Sequence, residues 1–276
     1  MSSRDTPLLA QPASDGHVLR IVRVLLPVAV LGAGIAAWEL VVRVNQIPPY
    51  VLPGPMAVFH TLVDDWGVLW QSLLTTLLTT LEGFAAAAIG GITLALLFSQ
   101  SKWLEYSLFP YAVILQVTPV IAIAPLLLIY LPQHTAVVVC AWIVAFFPVL
   151  SNTTLGLNSV DRNLAGLFRL YGASRLQTLR LLNFPSALPF ILGGLRIAGG
   201  LSLIGAVVAE IAAGSAGAGS GLAFRIAESG YRLNIPRMFA ALLLLSAAGI
   251  VIYGLLALTS HLVLRRWHES ALGKEN

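Results

Sequence analysis

The sequence predicts an all-α membrane protein that crosses the bilayer about six times. Its hydrophobicity, its scarcity of charge and its long apolar segments carry that prediction. Of the 276 residues, 58% are hydrophobic and 10% are charged, whereas a soluble domain averages about 45–50% and roughly 25%. So few charges could not cover a soluble fold, and a disordered chain has the opposite bias. One cysteine and 24 glycines without a regular period also exclude disulfide-stapled and collagen-like chains.

Six segments have the length of about 20 mostly apolar residues that a membrane-spanning helix needs. They are residues 22–42, 73–98, 107–130, 135–157, 189–213 and 238–264. The apolar run of the first continues to Val42, which is too long for a signal-peptide core, so we expect an uncleaved anchor. Pro110, Pro119 and Pro125 interrupt the third span, and kinks are expected there because proline removes a backbone donor.

The basic residues are sorted to one side of the predicted membrane. With the N-terminus inside, twelve of the 16 lysines and arginines fall on inner segments, and the inverted topology would place the same twelve outside. The positive-inside rule therefore predicts that both termini are cytoplasmic. We expect cytoplasmic tails at residues 1–20 and 269–276 and one transmembrane domain at 21–268. The net charge of +4 then reflects topology and does not indicate nucleic-acid binding.

The longest inner connection, residues 158–188, has a helical pattern. Leu164, Leu167, Phe168 and Tyr171 recur at the spacing of one helical face. Gly172 then ends the helix, and Ser174 can cap a second short helix. In that helix one side carries apolar residues, namely Leu176, Leu179, Leu182 and Pro185, while Arg175 and Arg180 face elsewhere. Two such helices would form a knob on the cytoplasmic surface, although periodicity equally allows an amphipathic hairpin resting on lipid headgroups.

Ionisable residues within the spans are candidates for the transport path, because they are costly unless they are paired or hydrated. Arg196 and Glu210 are 14 residues apart, so they share a face of the fifth span. Arg196 can also reach the inner interface as a snorkelling side chain. Glu82 can simply form a hydrogen bond to Thr79 or to a neighbouring helix.

Two further features have both a structural and a functional interpretation. Pro119 and Pro125 could expose backbone carbonyls to a path, or they could be ordinary kinks. The outer segment 214–237 carries Arg225, Glu228 and Arg232 at spacings that favour local ion pairs on a solvated helix. The same segment could instead be a gate or a contact for a binding protein.

The inner connection resembles the EAA motif of permeases from binding-protein-dependent ABC importers. That motif is Glu-Ala-Ala, three residues, Gly, nine residues, Ile, one residue, Leu-Pro. Here Gly172 is followed at the same spacing by Leu182 and Phe184-Pro185, while Gly166-Leu167-Phe168 stands in place of Glu-Ala-Ala. The run Gly172–Arg175 and the regions 38–53, 118–126 and 209–222 are similar to the nitrate/sulfonate/taurine branch. The similarity covers nearly all of residues 35–265.

The resemblance implies a type I ABC importer permease in a bacterial inner membrane, a transport subunit and not an enzyme. Its expected partners are a second identical copy, two cytoplasmic ATPase subunits and an extracytoplasmic solute-binding protein. The resemblance assigns ATPase coupling to Leu167, Phe168, Gly172, Ala173, Ser174, Arg175, Leu176, Leu179, Leu182 and Pro185. It suggests a small oxyanion or an organic sulfonate as substrate. The path or gate candidates are Glu82, Pro119, Pro125, Arg196 and Glu210.

Other function classes find little support in the sequence. It contains no GxxxxGK[ST] phosphate loop, so we expect no cofactor on this chain and ATP on a partner subunit. His261 and His268 have no further ligands nearby, so no metal site is expected. The main alternative is a secondary transporter or channel, but the internal repeats and charge relays common in such proteins are not evident. An intramembrane enzyme lacks a convincing nucleophile–base pair.

Overall fold

The computed structural model describes residues 15–214 and 219–265, with side chains from residue 25 onwards. Over these residues the chain is helical and contains no strand. The helices are α1 (Asp15–Val44), α2 (Pro55–Asp64), α3 (Trp66–Gln100), α4 (Lys102–Val117), α5 (Val120–Tyr130), α6 (Gln133–Asn158), α7 (Arg162–Leu170), α8 (Arg175–Thr178), α9 (Phe184–Ala213), α10 (Leu222–Tyr231) and α11 (Ile235–Leu264). The last residues of the predicted N-terminal tail, from Asp15, are helical. The predicted tail 269–276 and His268 lie outside the described residues.

Five stretches of helix are long and apolar enough to cross a membrane, in line with the predicted multi-span fold. They are Leu25–Val44, α3, α6, the continuous stretch Arg175–Ala213, and α11. Helices α4 and α5 together would make a sixth span, but they are bent by 97° at the break between them. The prediction of about six spans is therefore confirmed, whereas the prediction of one kinked helix over 107–130 is wrong.

The break in the third span lies at Thr118 and Pro119. Both residues have extended ψ angles, 123° and 112°. At Thr118 the ring of the following proline disfavours the helical conformation. The Thr118 backbone N–H and its hydroxyl both donate to the Ile114 carbonyl, at 3.1 and 2.6 Å. That carbonyl is thereby satisfied at the end of α4, so a sharp turn is possible. Pro110 and Pro125, in contrast, lie inside α4 and α5.

The core of the fold is a three-helix arrangement in which α6 packs between α3 and α9. Small residues allow the close contact. A methyl group added to Gly83 of α3 would lie 2.5 Å from the Ala141 side chain of α6, and one added to Gly205 of α9 would lie 2.8 Å from the Ala141 Cα. Small residues at such interfaces let helix backbones approach closely, as is typical of membrane proteins.

The remaining helices surround this core. Helix α11 packs on α9, where Gly199 faces Ile252 and Leu256. Helices α2, α10 and α11 meet in a second apolar cluster that includes Val58 and Leu222. The membrane-length stretch of α1 has no buried residue; it touches the bundle at places such as the Trp38–Phe239 ring pair, whose centroids are 5.8 Å apart.

The two ends of the bundle differ in character. We call residues 159–183, which join α6 to α9, the basic segment, and the end of the bundle that carries it the basic end. The opposite end carries α2, α10 and the first turn of α11.

The close contact between α6 and α9 predicts the effect of a bulky residue at Gly205. The substitution Gly205→Val should lower the thermal midpoint of the purified protein, since the new Cβ would meet the Cys140 carbonyl oxygen at 2.7 Å and the Ala141 Cα at 2.8 Å. These are backbone atoms that cannot rotate away, and overpacking costs about 1–3 kcal/mol.

The matched control is Gly200→Val on the same helix. A Cβ added at Gly200 has no other atom within 4 Å, so this variant should keep the midpoint of the parent protein. Thermal unfolding of both variants in one detergent measures the difference. Equal midpoints for the two variants would contradict the proposed tight contact.

Candidate functional site

The basic segment begins with a capped amphipathic helix and a sharp turn, as the sequence predicts. The Asp161 carboxylate accepts a hydrogen bond from the Asn163 backbone N–H and caps α7. After α7 the chain reverses through Gly172, whose φ is +68°, a left-handed conformation that favours glycine. Ser174 then caps α8 reciprocally with Gln177, at 2.7 and 3.3 Å. The predicted roles of Gly172 and Ser174 in the local structure are confirmed.

The second helix of the segment is not a separate short helix, which corrects the sequence interpretation. Helix α8 continues through a π-helical turn at Leu179–Asn183 into α9. The stretch Arg175–Ala213 is therefore one helical run of 39 residues. Pro185 lies inside this run, two residues after the π-helical turn, and does not end it.

The apolar residues of the segment do not form one common face. Leu176 is 72% exposed, whereas Leu182 is 7% exposed and Leu179 packs against the main core. Leu176 and Leu182 are six residues apart, which places them about 120° apart around a regular α-helix, so one faces outward and the other faces the bundle. Leu182 and, in part, Leu179 therefore pack against the bundle, and the coupling roles predicted for them stay predictions.

The exposed apolar surface of the basic segment lies mainly on α7, on the turn after it and at the start of α8. Leu167, Leu170, Tyr171 and Leu176 are large apolar residues that are 45% to 86% exposed. Phe168, Ala173 and Pro185 are half-buried. The structure therefore leaves an apolar surface at the basic end; Leu167 and Leu176 belong to the predicted coupling residues, whereas Leu170 and Tyr171 do not.

The arginines at the two ends of the bundle have different surroundings. At the opposite end each one is paired with a carboxylate of the same chain: Arg43 with Glu39, Arg225 and Arg232 with Glu228, and Arg237 with Asp65. At the basic end, no carboxylate of residues 15–214 or 219–265 lies within ion-pair distance of Arg162, Arg169, Arg175 or Arg180. The local ion pairs predicted around Glu228 are confirmed, and the unpaired charge is concentrated on the basic segment.

Glu210 lies where α9, α3 and the start of α10 meet, and it is 3% exposed. Its Oε2 accepts hydrogen bonds from the Thr76 hydroxyl at 3.0 Å and from the Ala223 backbone N–H at 3.1 Å. The Thr76 hydroxyl in turn accepts from the Leu222 backbone N–H at 2.9 Å. A carboxylate at a helix N-terminus satisfies free N–H groups and complements the helix dipole. One role of Glu210 is thus to anchor α10.

Further contacts fix the opposite end. The Arg225 guanidinium donates to the Ser72 hydroxyl of α3 at 3.1 Å. Arg237 at the start of α11 forms a bidentate pair with Asp65, at 2.6 and 2.8 Å. Gly221 is in such close contact with the Glu210 carboxylate that a side chain there would collide with it. This end of the bundle is therefore cross-linked by polar contacts among α3, α9, α10 and α11.

The other path candidates do not form one site. The Glu82 Oε2 lies 3.3 Å from the His134 Nε2 of α6, which agrees with the structural interpretation of a contact to a neighbouring helix. The Arg196 guanidinium lies 5.9 Å from the centre of the Tyr253 ring on α11, whereas Glu210 contacts α3 and α10. Arg196 and Glu210 are therefore directed to different neighbours. Pro119 and Pro125 are exposed on the surface of the single chain.

Sequence reasoning missed the partners of these residues. The contacts of Thr76 and His134 were not predicted, because each residue is distant in sequence from the acidic residue that it contacts. Gly221 lies in the region 209–222 together with Glu210, but the sequence does not show that the two touch. Two local features of the sequence are consistent with these contacts. A threonine in an apolar helix and a Gly-Ser-Gly run before a helix are both typical of close polar contacts between helices.

Comparison with known proteins identifies the class of this chain. Residues 86–265 match the family described as binding-protein-dependent transport system inner membrane component. Since this range covers more than half of the chain, the chain belongs to that family. It is a multi-pass ABC transporter permease of a binding-protein-dependent importer, which confirms the resemblance inferred from the motifs.

Individual relatives support the assignment along most of the chain. A probable ABC transporter permease of Haemophilus influenzae is 33% identical over 233 residues, which are 84% of this chain and 94% of the relative. A riboflavin transport permease of Chloroflexus aurantiacus is 34% identical over 237 residues, 84% of this chain and 86% of the relative. Other relatives are named as permeases for formylaminopyrimidine, nitrate, bicarbonate and aliphatic sulfonates.

A solved structure supports the fold. The crystal structure of an amino acid ABC transporter with histidines has a TM-score of 0.60 and 21% sequence identity, and it covers 73% of this chain and 97% of the other. The chain therefore shares its overall fold with a solved ABC transporter.

The turn at Gly172 predicts a difference between two glycines of the basic segment. We expect Gly172→Ala to loosen the turn, because a left-handed conformation costs a residue with a Cβ about 1–2 kcal/mol. Cleavage by trypsin at Arg169 and Arg175 should then become several times faster than in the parent protein.

The control is Gly166→Ala in α7. At both positions an added Cβ has no other atom within 4 Å, and only Gly172 has a positive φ. Gly166→Ala should leave the cleavage rate unchanged or slower, since alanine favours the helix. Equal acceleration in the two variants would exclude the backbone conformation as the cause.

Proposed function

We propose that this chain forms the translocation path of an ATP-driven importer and that residues 158–188 couple it to separate ATPase subunits. The observation that carries the proposal is the surface of the basic segment, where exposed Leu167, Leu170 and Leu176 lie among four unpaired arginines. A contiguous apolar patch with a polar rim is typical of a protein–protein contact. Family membership supports an ATPase as the partner.

The complementary partner is a groove with an apolar floor and acidic walls. The exposed leucines and Tyr171 would enter the groove, and Arg175 or Arg180 would pair with acidic residues of the ATPase. ATP would be bound and hydrolysed by that partner. Docking would remove the apolar surface of the basic segment from water. Its arginines would attract an acidic partner before the two proteins touch.

The helical connection suggests how motion passes from the ATPase to the path. The basic segment would act as a rigid lever, because α8, the π-helical turn and α9 form one helical run. ATP-driven closure of two ATPase subunits would pull two basic segments together in a dimer of permease chains. The switch between inward-facing and outward-facing states would follow as a rigid-body movement at packed interfaces.

Orientation and partners at the opposite end complete the proposal. The basic end would face the cytoplasm, as the positive-inside rule favours, with both termini on the same side. The opposite end, which includes α10, would face the extracytoplasmic solute-binding protein. In a bacterial cell this places the chain in the inner membrane, and a second identical copy would complete the path.

The substrate belongs to one of two chemical classes. The sequence resemblance predicts a small oxyanion or an organic sulfonate, and relatives named for nitrate or sulfonates are 27% to 31% identical. Relatives named for riboflavin and formylaminopyrimidine are 34% identical. These identities give an uncharged organic substrate at least equal support.

The docking proposal predicts that Leu176→Asp abolishes coupling. A carboxylate at this exposed position would have to be desolvated in an apolar groove, so substrate-stimulated ATP hydrolysis and uptake should fall to background. The amount of protein in the membrane should not change, because Leu176 makes no core contact. Uptake into proteoliposomes, ATP hydrolysis and co-purification of the ATPase subunit measure the effect.

Leu176→Met is the matched control, because it keeps an apolar side chain of similar volume and should keep most of the activity. Normal coupled transport by Leu176→Asp would refute the assignment of the basic segment. Purification of an active transporter without any ATPase subunit would instead favour a secondary transporter or channel.

A further inference from the structure

A polar cavity of about 620 Å³ lies at the basic end, between the basic segment and the ends of two core helices. Helices α3 and α6 contribute their last residues, including Gln100 and Asn158, and the basic segment contributes Arg169, Arg175 and Asn183. Both α3 and α6 are long and apolar enough to cross a membrane. Their last residues therefore lie at the level where the bundle meets the lipid headgroups.

The turn at Gly172 brings two arginines to this cavity. Arg169 lies in the last turn of α7 and Arg175 begins α8, and both line the cavity. Leu167 and Leu176 of the exposed apolar surface are not among its lining residues. The cavity and the proposed docking surface are therefore largely different parts of the same segment.

The charges around the cavity favour an anion. No aspartate or glutamate is among its described lining residues, and neither arginine has a carboxylate partner in the described part of the chain. The acidic residues nearest along the chain are already engaged. Asp161 accepts from the Asn163 backbone N–H, and Glu105 pairs with Lys102, both at 2.6 Å. An anion in the cavity would offset the repulsion between two like charges that face the same space.

The donor groups of the cavity fit a phosphate group. A guanidinium presents its N–H groups in a planar fork that matches phosphate oxygens. The side-chain amides of Gln100, Asn158 and Asn183 can add neutral donors. Basic pockets between membrane helices are also typical sites for the headgroups of anionic lipids. The cavity volume leaves room for the glycerol or other alcohol to which such a phosphate is esterified.

We propose that this cavity binds the phosphate group of a larger organic molecule, with Arg169 and Arg175 as its charged ligands. Two sources supply that chemistry, namely an anionic phospholipid of the adjacent leaflet and a soluble phosphate ester. The bound phosphate would bridge α7 and α8 to the ends of α3 and α6, and so stabilise the basic segment against the core. The inference goes beyond the proposed transport function and does not depend on it.

The decisive variant is the double substitution Arg169→Gln/Arg175→Gln. Glutamine keeps a polar side chain and removes both charges from the cavity. The matched control is Arg162→Gln/Arg180→Gln, which removes the same charge from the same segment at residues that do not line the cavity. A general attraction of anions to a basic surface would weaken equally in both variants. All four arginines are exposed, and thermal midpoints report any loss of folding.

Native mass spectrometry of the purified, delipidated full-length chain in a neutral detergent measures the affinity for the first lipid bound. The probes are palmitoyl-oleoyl phosphatidylglycerol, the corresponding phosphatidylcholine and sodium glycerol 3-phosphate. We expect the parent chain to bind phosphatidylglycerol several times more tightly than phosphatidylcholine, whose choline cation the arginines repel. Arg169→Gln/Arg175→Gln should weaken that binding about tenfold or more, as expected when hydrogen bonds to a charged group are lost. The control should stay within about twofold of the parent, since exposed charges away from the ligand contribute little.

Competition separates the two sources. Phosphatidylglycerol that stays bound in a large excess of glycerol 3-phosphate would assign the site to the lipid. Binding of glycerol 3-phosphate that displaces the lipid and is lost in Arg169→Gln/Arg175→Gln would assign it to the soluble ester. Either result supports a phosphate site.

An uncharged variant keeps the test decisive if the double variant fails to fold. Ala173 is a half-buried lining residue, so Ala173→Leu should narrow the cavity and weaken binding with no change of charge. Unchanged affinities in both Arg169→Gln/Arg175→Gln and Ala173→Leu would overturn the proposal, as would an equal loss in Arg162→Gln/Arg180→Gln. Since the measurement uses neither ATP nor an ATPase subunit, its outcome is independent of the proposed docking.

Discussion

The close approach of α3, α6 and α9 is the constraint on which the rest of the structure depends. Ala141 of α6 lies between Gly83 and Gly205, so three helix backbones meet with almost no side chain between them. Within a membrane the hydrophobic effect does not drive helices together, because lipid is as apolar as the helix surface. Dense contact between small residues is then a main source of stability, and it fixes the relative position of every group carried by these helices.

The two ends of the bundle differ in how their arginines are neutralised. Glu39, Glu228 and Asp65 neutralise the arginines at the opposite end within the chain. That end therefore has an internally satisfied polar network, with Glu210 at the base of α10. At the basic end Lys102 pairs with Glu105, but the four arginines of the basic segment have no carboxylate partner among the described residues. The proposed docking of an ATPase subunit would supply such partners.

Composition and periodicity predicted the helical fold, the number of spans, the turn at Gly172 and the cap at Ser174, because each depends on residues close in sequence. The bend at Thr118-Pro119 was foreseen only as a kink, since the sequence shows that a proline interrupts a helix but not how far the chain turns. The burial of Leu182 could not be predicted, because the sequence does not show that α8 continues into α9 and therefore which side of the run faces the bundle. The contacts of Glu210 with Thr76 and Ala223 depend on tertiary packing over long sequence distances. They therefore required the structure.

The continuous helical run also determines how a displacement would pass through the molecule. Ala187 of the run contacts Gly156 of α6 and lies 12 residues, or about 18 Å, along the helix from Arg175. Further along, Gly194 contacts Asn152 and Gly205 contacts Cys140 of α6. Because α6 holds the run at several successive points, the run cannot pivot on one of them. A displacement at Arg175 would therefore move α6 and α9 together as one body.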